Sequence, residues 1–266
     1  ISVGNPYFER MTMPIGFVLL FLMAIAPVLP WRKTTGEVLS DRLHWPAWIG
    51  AGSMVAAALL GARGWSPTLA FGLGGFAGGS ALRQVVLATR RQGWRGLVGR
   101  TNGGMVVHLG VVLIAIAFAA SNAYVRQGEF TMAVGDTAQI SGHTLTYEGS
   151  RLTEYSNRTE KSARVLVDEA KVYEPAIAQY PFAGRTIGIP SVRSTWTDDI
   201  ALSVLTFPEG SGDTVVLRAT VQPLIVWLWI GGLVMAAGTV LAVVPGKRRR
   251  PTAPTSAPPT SHEVLL

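Results

Sequence analysis

GGMVVHLGVVLIAIAFAAS, Gly103 to Ser121, runs nineteen residues without a charge and contains a single histidine, His108. A helix needs about 20 mostly apolar residues to cross hydrocarbon, so this stretch reads as transmembrane. An imidazole at membrane depth is costly unless it is paired, wet or ligating something, which makes ionisable residues there functional-site hypotheses by default. His108 lies five residues into the stretch, roughly 8 Å along the axis at about 1.5 Å per residue. Two accounts of it stand open. One is a hydrogen bond to a hydroxyl or carbonyl of a neighbouring helix. The other is axial ligation of a haem iron through Nε2. Gly104 at i−4, with Val111 and Val112 at i+3 and i+4, leaves room beside the ring for a flat macrocycle. His44, ahead of the second apolar segment, reads as an interfacial loop residue.

Outward from this stretch, four further apolar segments appear: Thr12 to Pro30, Trp45 to Ala62, Thr68 to Ala88, and Pro223 to Val244. The chain has 266 residues, of which 48% are hydrophobic, placing it among membrane proteins. The third segment is the weakest span, because Gly72, Gly74, Gly75, Gly78 and Gly79 lower its helix propensity and Arg83 lies inside it. Those glycines either permit close helix packing or mark a loosely hydrophobic span. Seven of the eight tryptophans (Trp31, Trp45, Trp48, Trp65, Trp94, Trp227 and Trp229) fall at or near segment ends, as interfacial anchors do.

Residues 122–222 carry 9 Lys/Arg against 12 Asp/Glu, a net of −3, so the remainder carries +10 to make the total of +7. The basic residues crowd segment ends: Arg32, Lys33 and Arg42; Arg90, Arg91, Arg95 and Arg100; and Lys247 to Arg250. Alternating spans put all three clusters on one side, and the positive-inside rule makes that side cytoplasmic. Residues 122–222 then lie outside. The basic charge is explained by topology, so membrane lipid is the expected partner and nucleic acid is not. There are no cysteines, which excludes disulfides, thiolate metal sites and cysteine nucleophiles within the chain. The chain opens on Ile1 and shows no signal peptide, and so reads as a fragment or a processed piece.

Between Asn122 and Gln222 the apolar period becomes two, as in Thr144 to Glu148, Ala163 to Asp168 and Ile200 to Leu205, with glycines punctuating the runs. Short strands with frequent turns imply a small antiparallel barrel or sandwich. His143, directly after Gly142, reads as an exposed turn residue, and the acid pairs Asp168-Glu169 and Asp198-Asp199 as solvated surface. No nucleophile elbow, zincin helix or P-loop is present. The expected architecture is therefore an integral membrane α-helical bundle of about five transmembrane helices with one inserted extracytoplasmic all-β domain. Residues 1–121 hold four helices, 122–222 the β-rich domain and 223–244 the fifth helix. The proline- and threonine-rich stretch 245–266 is a disordered cytoplasmic tail.

Three stretches carry a resemblance: Gly103-Gly104-Met105-Val106-Val107-His108-Leu109-Gly110, the opening Ile1 to Phe8, and Val221 to Met235 with its Pro-Leu-x-x-Trp-x-Trp-x-Gly-Gly pattern. Together they are similar to the C-terminal part of the CcmF family, haem-lyase subunits of bacterial cytochrome c maturation. The resemblance implies a multi-pass protein of the bacterial inner membrane, with residues 122–222 periplasmic. It also implies a transmembrane haem b with two histidine ligands, of which His108 would be one, as the axial metal ligand. The family's tryptophan-rich haem-handling segment and its other haem-ligating histidine have no counterpart here, so the chain is not expected to be active alone. Implied partners are other cytochrome c maturation subunits, a haem carrier protein and apocytochrome c. The competing reading is a non-catalytic scaffold or permease subunit whose outer β domain docks partners.

Overall fold

Five long helices form, four before the strands and one after them, matching the five apolar segments in order. The computed structural model describes residues 5–29, 35–181, 184–208, 210 and 212–244. The expected disordered tail, the basic run Lys247 to Arg250, Trp31, Arg32 and Lys33 lie outside the described residues. The helices are α1 (Asn5–Ile25), α2 (Gly36–Leu59), α3 (Trp65–Gln92), α4 (Arg100–Ala123) and α5 (Val226–Val243). Three of them are long and apolar enough to cross a membrane, spanning Arg10–Val28, Asn102–Ala123 and Val226–Val243. They mark a membrane protein. α2 and α3 do not reach that apolarity.

α2 begins nine residues ahead of the expected Trp45, because Thr35 caps it by accepting from the Val38 N–H. His44 is therefore helical, not a loop residue, and its ring lies edge-on to Trp45 and Trp48. Gly72, Gly75 and Gly79 of α3 face α2. A Cβ at Gly50 would sit 2.8 Å from the Gly72 carbonyl oxygen, one at Gly75 would collide with Ser53, and one at Gly79 would lie 3.2 Å from Pro46 Cα. Close packing is thus what the small residues provide. α1 joins through a small apolar contact of Ala24, Ala77 and Val112, and Ser80 Oγ donates to the Ala24 carbonyl at 2.6 Å.

α4 and α5 make the tightest seam. A Cβ at Gly110 would lie 2.5 Å from Met235 Cγ and 2.7 Å from the Gly231 oxygen. One at Gly238 would lie 2.6 Å from the Val107 nitrogen, and one at Gly103 would collide with Ala242. The Gly99 N–H also donates to the Leu241 carbonyl at 3.0 Å, tying the start of α4 to the end of α5. Much of the outward surface of α1 and α5 is bare apolar side chain, including Ile15, Leu19, Leu22, Trp229, Leu233 and Val240.

Between α4 and α5 the chain folds into ten strands, β1 (Arg126–Ala133), β2 (Thr137–Ile140), β3 (His143–Glu154), β4 (Thr159–Val167), β5 (Lys171–Tyr173), β6 (Ala176–Tyr180), β7 (Arg185–Ile189), β8 (Ser191–Ser194), β9 (Asp198–Thr206) and β10 (Thr214–Pro223). One antiparallel sheet runs β1-β10-β9-β8 and the other β2-β3-β4-β6-β7, with β5 on β4. Alternate residues point inward, as the period of two requires. Leu145, Tyr147, Ala163, Val165 and Val167 of one sheet meet Ile200, Leu202, Val215, Leu217 and Ala219 of the other in a single core. β3 carries a bulge between Tyr147 and Gly149, where Gly149 takes a φ of +128°. Asp213 fills it, accepting from Tyr147 Oη at 2.8 Å and the Ser150 N–H at 2.9 Å. Burial, and then the Asp213 carboxylate, raises the Tyr147 phenol above its ordinary range.

Candidate functional site

His108 sits in α4 between two packed seams. Gly103, Val107, Gly110 and Ile114 face α5, while Val112 and Ile116 face the glycines of α3 at Gly78 and Gly74. The ring is half-buried, and its Nδ1 is buried with no hydrogen-bond partner among the described residues. One turn earlier on the same flank a Cβ at Gly104 would meet nothing within 4 Å. Of the small neighbours the sequence suggested, Gly104 does leave open space. Val112 does not: it is 4% exposed and packed toward α3. The interhelical hydrogen bond that would have made His108 merely structural is absent at Nδ1 among the described residues. A buried imidazole nitrogen without a partner is an uncompensated polar group, which a ligand or a further protein segment can satisfy. The orphaned atom and the bare flank fit a planar, imidazole-ligated group, and no other described histidine shares this environment.

The β region holds a second cluster that the sequence reading missed. His143 opens β3, and both of its ring nitrogens are engaged: Nδ1 with Asp168 Oδ2 at 2.8 Å and Nε2 with Asp198 Oδ2 at 3.3 Å. Arg193 of β8 also donates to Asp168 Oδ2, and the Thr144 N–H donates to Asp168 Oδ1 at 2.9 Å. His143 is thus a bridge, not an exposed turn residue, and Asp168 and Asp198 are not free surface acids. The two acids lie 30 residues apart in sequence, and only the facing of the two sheets brings them to one ring. Asp168 reaches it because it and Glu169 turn the β4–β5 connection with φ of 50° and 55°. A hairpin-type turn of Asp-Glu-Ala was the available signal, since Asp tolerates that region better than most residues.

Burial opposes charge on both partners, but the hydrogen bonds prevail. The two carboxylates raise His143 above its ordinary value, and His143, Thr144 and Arg193 lower Asp168 to about 2. With both imidazole nitrogens committed to carboxylates, His143 has no lone pair to offer a metal or a substrate proton. The cluster ties the two sheets together. Among the described residues no group of three or more His, Cys, Asp or Glu is arranged to hold a metal ion.

The chain is similar to cytochrome c biogenesis proteins over nearly its whole length. It is 27% identical to the cytochrome c-type biogenesis protein CcmF of Pseudomonas aeruginosa across 94% of this chain and 39% of that protein. It is 27% identical to CycK of Rhizobium meliloti across 97% of this chain and 40% of the relative. With NrfE of Haemophilus influenzae it shares 28% identity across 94% of this chain and 39% of the relative. Among solved structures, the cytochrome c haem lyase CcmF superposes with a TM-score of 0.70 at 26% identity, covering 91% of this chain and 41% of that one. No family model matches the chain. The chain spans about two-fifths of the length of the curated relatives it matches. Its resemblance to the C-terminal part of CcmF therefore holds in sequence and in fold.

Proposed function

We propose that this chain is the C-terminal part of a cytochrome c haem lyase in a bacterial inner membrane, and that α4 presents His108 as one axial ligand of a transmembrane haem b. The observation that carries the reading is the buried, unpartnered Nδ1 of His108 beside the open flank at Gly104, in a chain similar to proteins named for cytochrome c biogenesis. A haem held by His108 would supply single-electron chemistry, in support of reduction and attachment of haem to apocytochrome c. His108 itself binds and orients. α4 holds the ring at fixed depth because the Gly110–Gly231 and Gly103–Ala242 approaches leave the helix no freedom to slide along α5. A ligating imidazole ordinarily donates its second N–H to a carbonyl or carboxylate. Among the described residues none accepts from Nδ1, so that acceptor lies outside them.

All five helices are read as spans. α2 and α3, at 24 and 28 residues, are long enough, and their facing glycines allow the close approach by which helices associate in lipid. Sidedness does not depend on that count. Whether the α2–α3 hairpin crosses twice or not at all, Arg90, Arg91 and Arg95 stay on the side from which α4 enters, and positive-inside makes that side cytoplasmic. The β region is then periplasmic, where further maturation subunits, a haem carrier and apocytochrome c would meet it.

The test is the absorbance spectrum of the complete complex. His108→Ala abolishes a b-type signal while the protein still assembles, and Gly104→Leu, which fills the open flank, lowers haem content without loss of fold. An unchanged spectrum in His108→Ala sinks the reading. A complex that gathers its partners but never holds porphyrin leaves a scaffold whose β region docks them.

A further inference from the structure

The eighth tryptophan, Trp196, is the one that segment ends do not explain, and the fold places it at the tip of the β8–β9 hairpin. Its side chain is 72% exposed, and among the described residues no ring stacks on it. The tip is rigid. The Thr195 N–H donates to the Asp198 carbonyl at 2.9 Å, Thr195 Oγ1 donates to the same carbonyl at 2.8 Å and accepts from the Asp198 N–H at 3.1 Å, so the loop closes on itself. It is also pinned to the head of α5. The Leu224 N–H donates to the Thr197 carbonyl at 2.9 Å, and Trp227 Nε1 donates to the Trp196 carbonyl at 3.1 Å.

These bonds fix a level. α5 is apolar from Val226 onward, and Trp227 and the 76% exposed Trp229 occupy its first turn, where indoles prefer the headgroup layer. A hairpin tip hydrogen-bonded to Trp227 lies at the same depth. An indole held rigid and bare in water wastes its apolar area, whereas the bilayer surface accepts both the ring and its one donor.

We propose that the tip Thr195–Trp196–Thr197 is seated in the outer headgroup layer of the bilayer, with Trp196 against lipid, as a second foot of the β region beside α5. Lipid is the occupant because the surface is continuous with the outward apolar face of a span, and this rests on the reading that α5 crosses the membrane with the β region outside. The foot also has a strut. Asp198, two residues from Trp196, belongs to the His143–Asp168–Arg193 bridge, so the lipid contact is transmitted to the β2-β3-β4-β6-β7 sheet.

The absence of cysteine makes a depth measurement direct. The full chain in phosphatidylcholine nanodiscs would carry a nitroxide through T197C, leaving Trp196 in place. L233C, in the middle of α5, and L152C, at the far end of β3 from His143, bracket lipid and water. The ratio of collisions with oxygen to collisions with a water-soluble nickel chelate is expected to lie between the two references, and to fall to the L152C value when W196S is added. A T197C ratio equal to that of L152C, with L233C in lipid, overturns the proposal. So does a label shielded from both reagents, which assigns the tip to a protein partner. If L233C itself is bathed in water, the span reading has failed, and the foot falls with it.

Discussion

The α4–α5 seam and the core between the two sheets are both tightly packed, yet one is built of atoms left out and the other of atoms put in. At the seam Gly103 and Gly110 of α4 approach Ala242, Gly231 and Met235 of α5 so closely that one added carbon meets backbone. Between the sheets, Tyr147, Leu145, Leu202 and Leu217 fill the space completely. The difference follows from solvent. In water each buried Å² of apolar surface contributes about 25 cal/mol, so bulk stabilises. Lipid tails are as apolar as leucine and offer helices no such gain, so closeness and backbone dispersion must do it. Mutational tolerance should therefore invert between the two regions.

The largest expected effect is subtraction in the sheet core. Leu217 is fully buried, and Leu217→Ala removes its packing and leaves a cavity, costing about 3 kcal/mol. Hydrogen exchange at β9 and β10 would report it, while α4 and α5 amides stay protected. Equal loosening of both regions would break the contrast and make them one cooperative unit. Addition at the seam comes next. Gly110→Val drives carbon into Met235 and the Gly231 oxygen and should cost about 2 kcal/mol, read as a lower melting temperature in detergent, with the β region unaffected. Gly104→Ala, six residues away on the open flank, should stay within about 0.5 kcal/mol of the parent. If the two glycines respond alike, helix propensity and not the seam governs α4.

Much of this was legible in residue order. Apolar run length placed α1, α4 and α5 as helices able to cross a membrane, because length against hydrocarbon thickness needs no tertiary information, while α2 and α3 form in order but fall short of that apolarity. Alternation in Ala163 to Val167 and Ile200 to Leu205 gave the strands and their inward faces, and Ala163, Val165, Val167, Ile200, Leu202 and Val204 all lie in the packed core. The start of α2 was not legible from apolarity, since the Thr35 cap sets it, with Glu37 in the first turn. Nor was the fate of Val112, because i+4 from His108 names a neighbour but not which of them another helix covers. His143 was the clearest loss. Its partners come from turns 25 and 55 residues away, and no local pattern encodes a meeting made by the closure of two sheets. The sequence marked His108 for the opposite reason, since a lone polar group inside an apolar run is visible without any partner.

A smaller effect than the loss of seam or core packing is the titration of His143. His143 is raised above 6.5 in the folded chain: burial works against this, and the hydrogen bonds and charges of Asp168 and Asp198 overcome it. A raised basic group contributes stability that is complete below its unfolded value and is lost as pH climbs through its folded one. Asp168, lowered from 3.8 to about 2, contributes above 3.8 and loses that contribution as pH falls toward about 2. The bridge is therefore at full strength from about pH 4 to 6.5 and weakens on the alkaline side. Arg193 is the other cation on Asp168 Oδ2. Because the ring and both acids remain partly exposed, the total should not exceed about 1 kcal/mol. Urea denaturation of the β region between pH 6 and 9, followed by hydrogen exchange at β3, β4 and β9, should show this decline in the parent and a flat profile in His143→Gln. Parallel profiles would mean that the imidazole is neutral in the fold and that the two sheets are held by the apolar core alone.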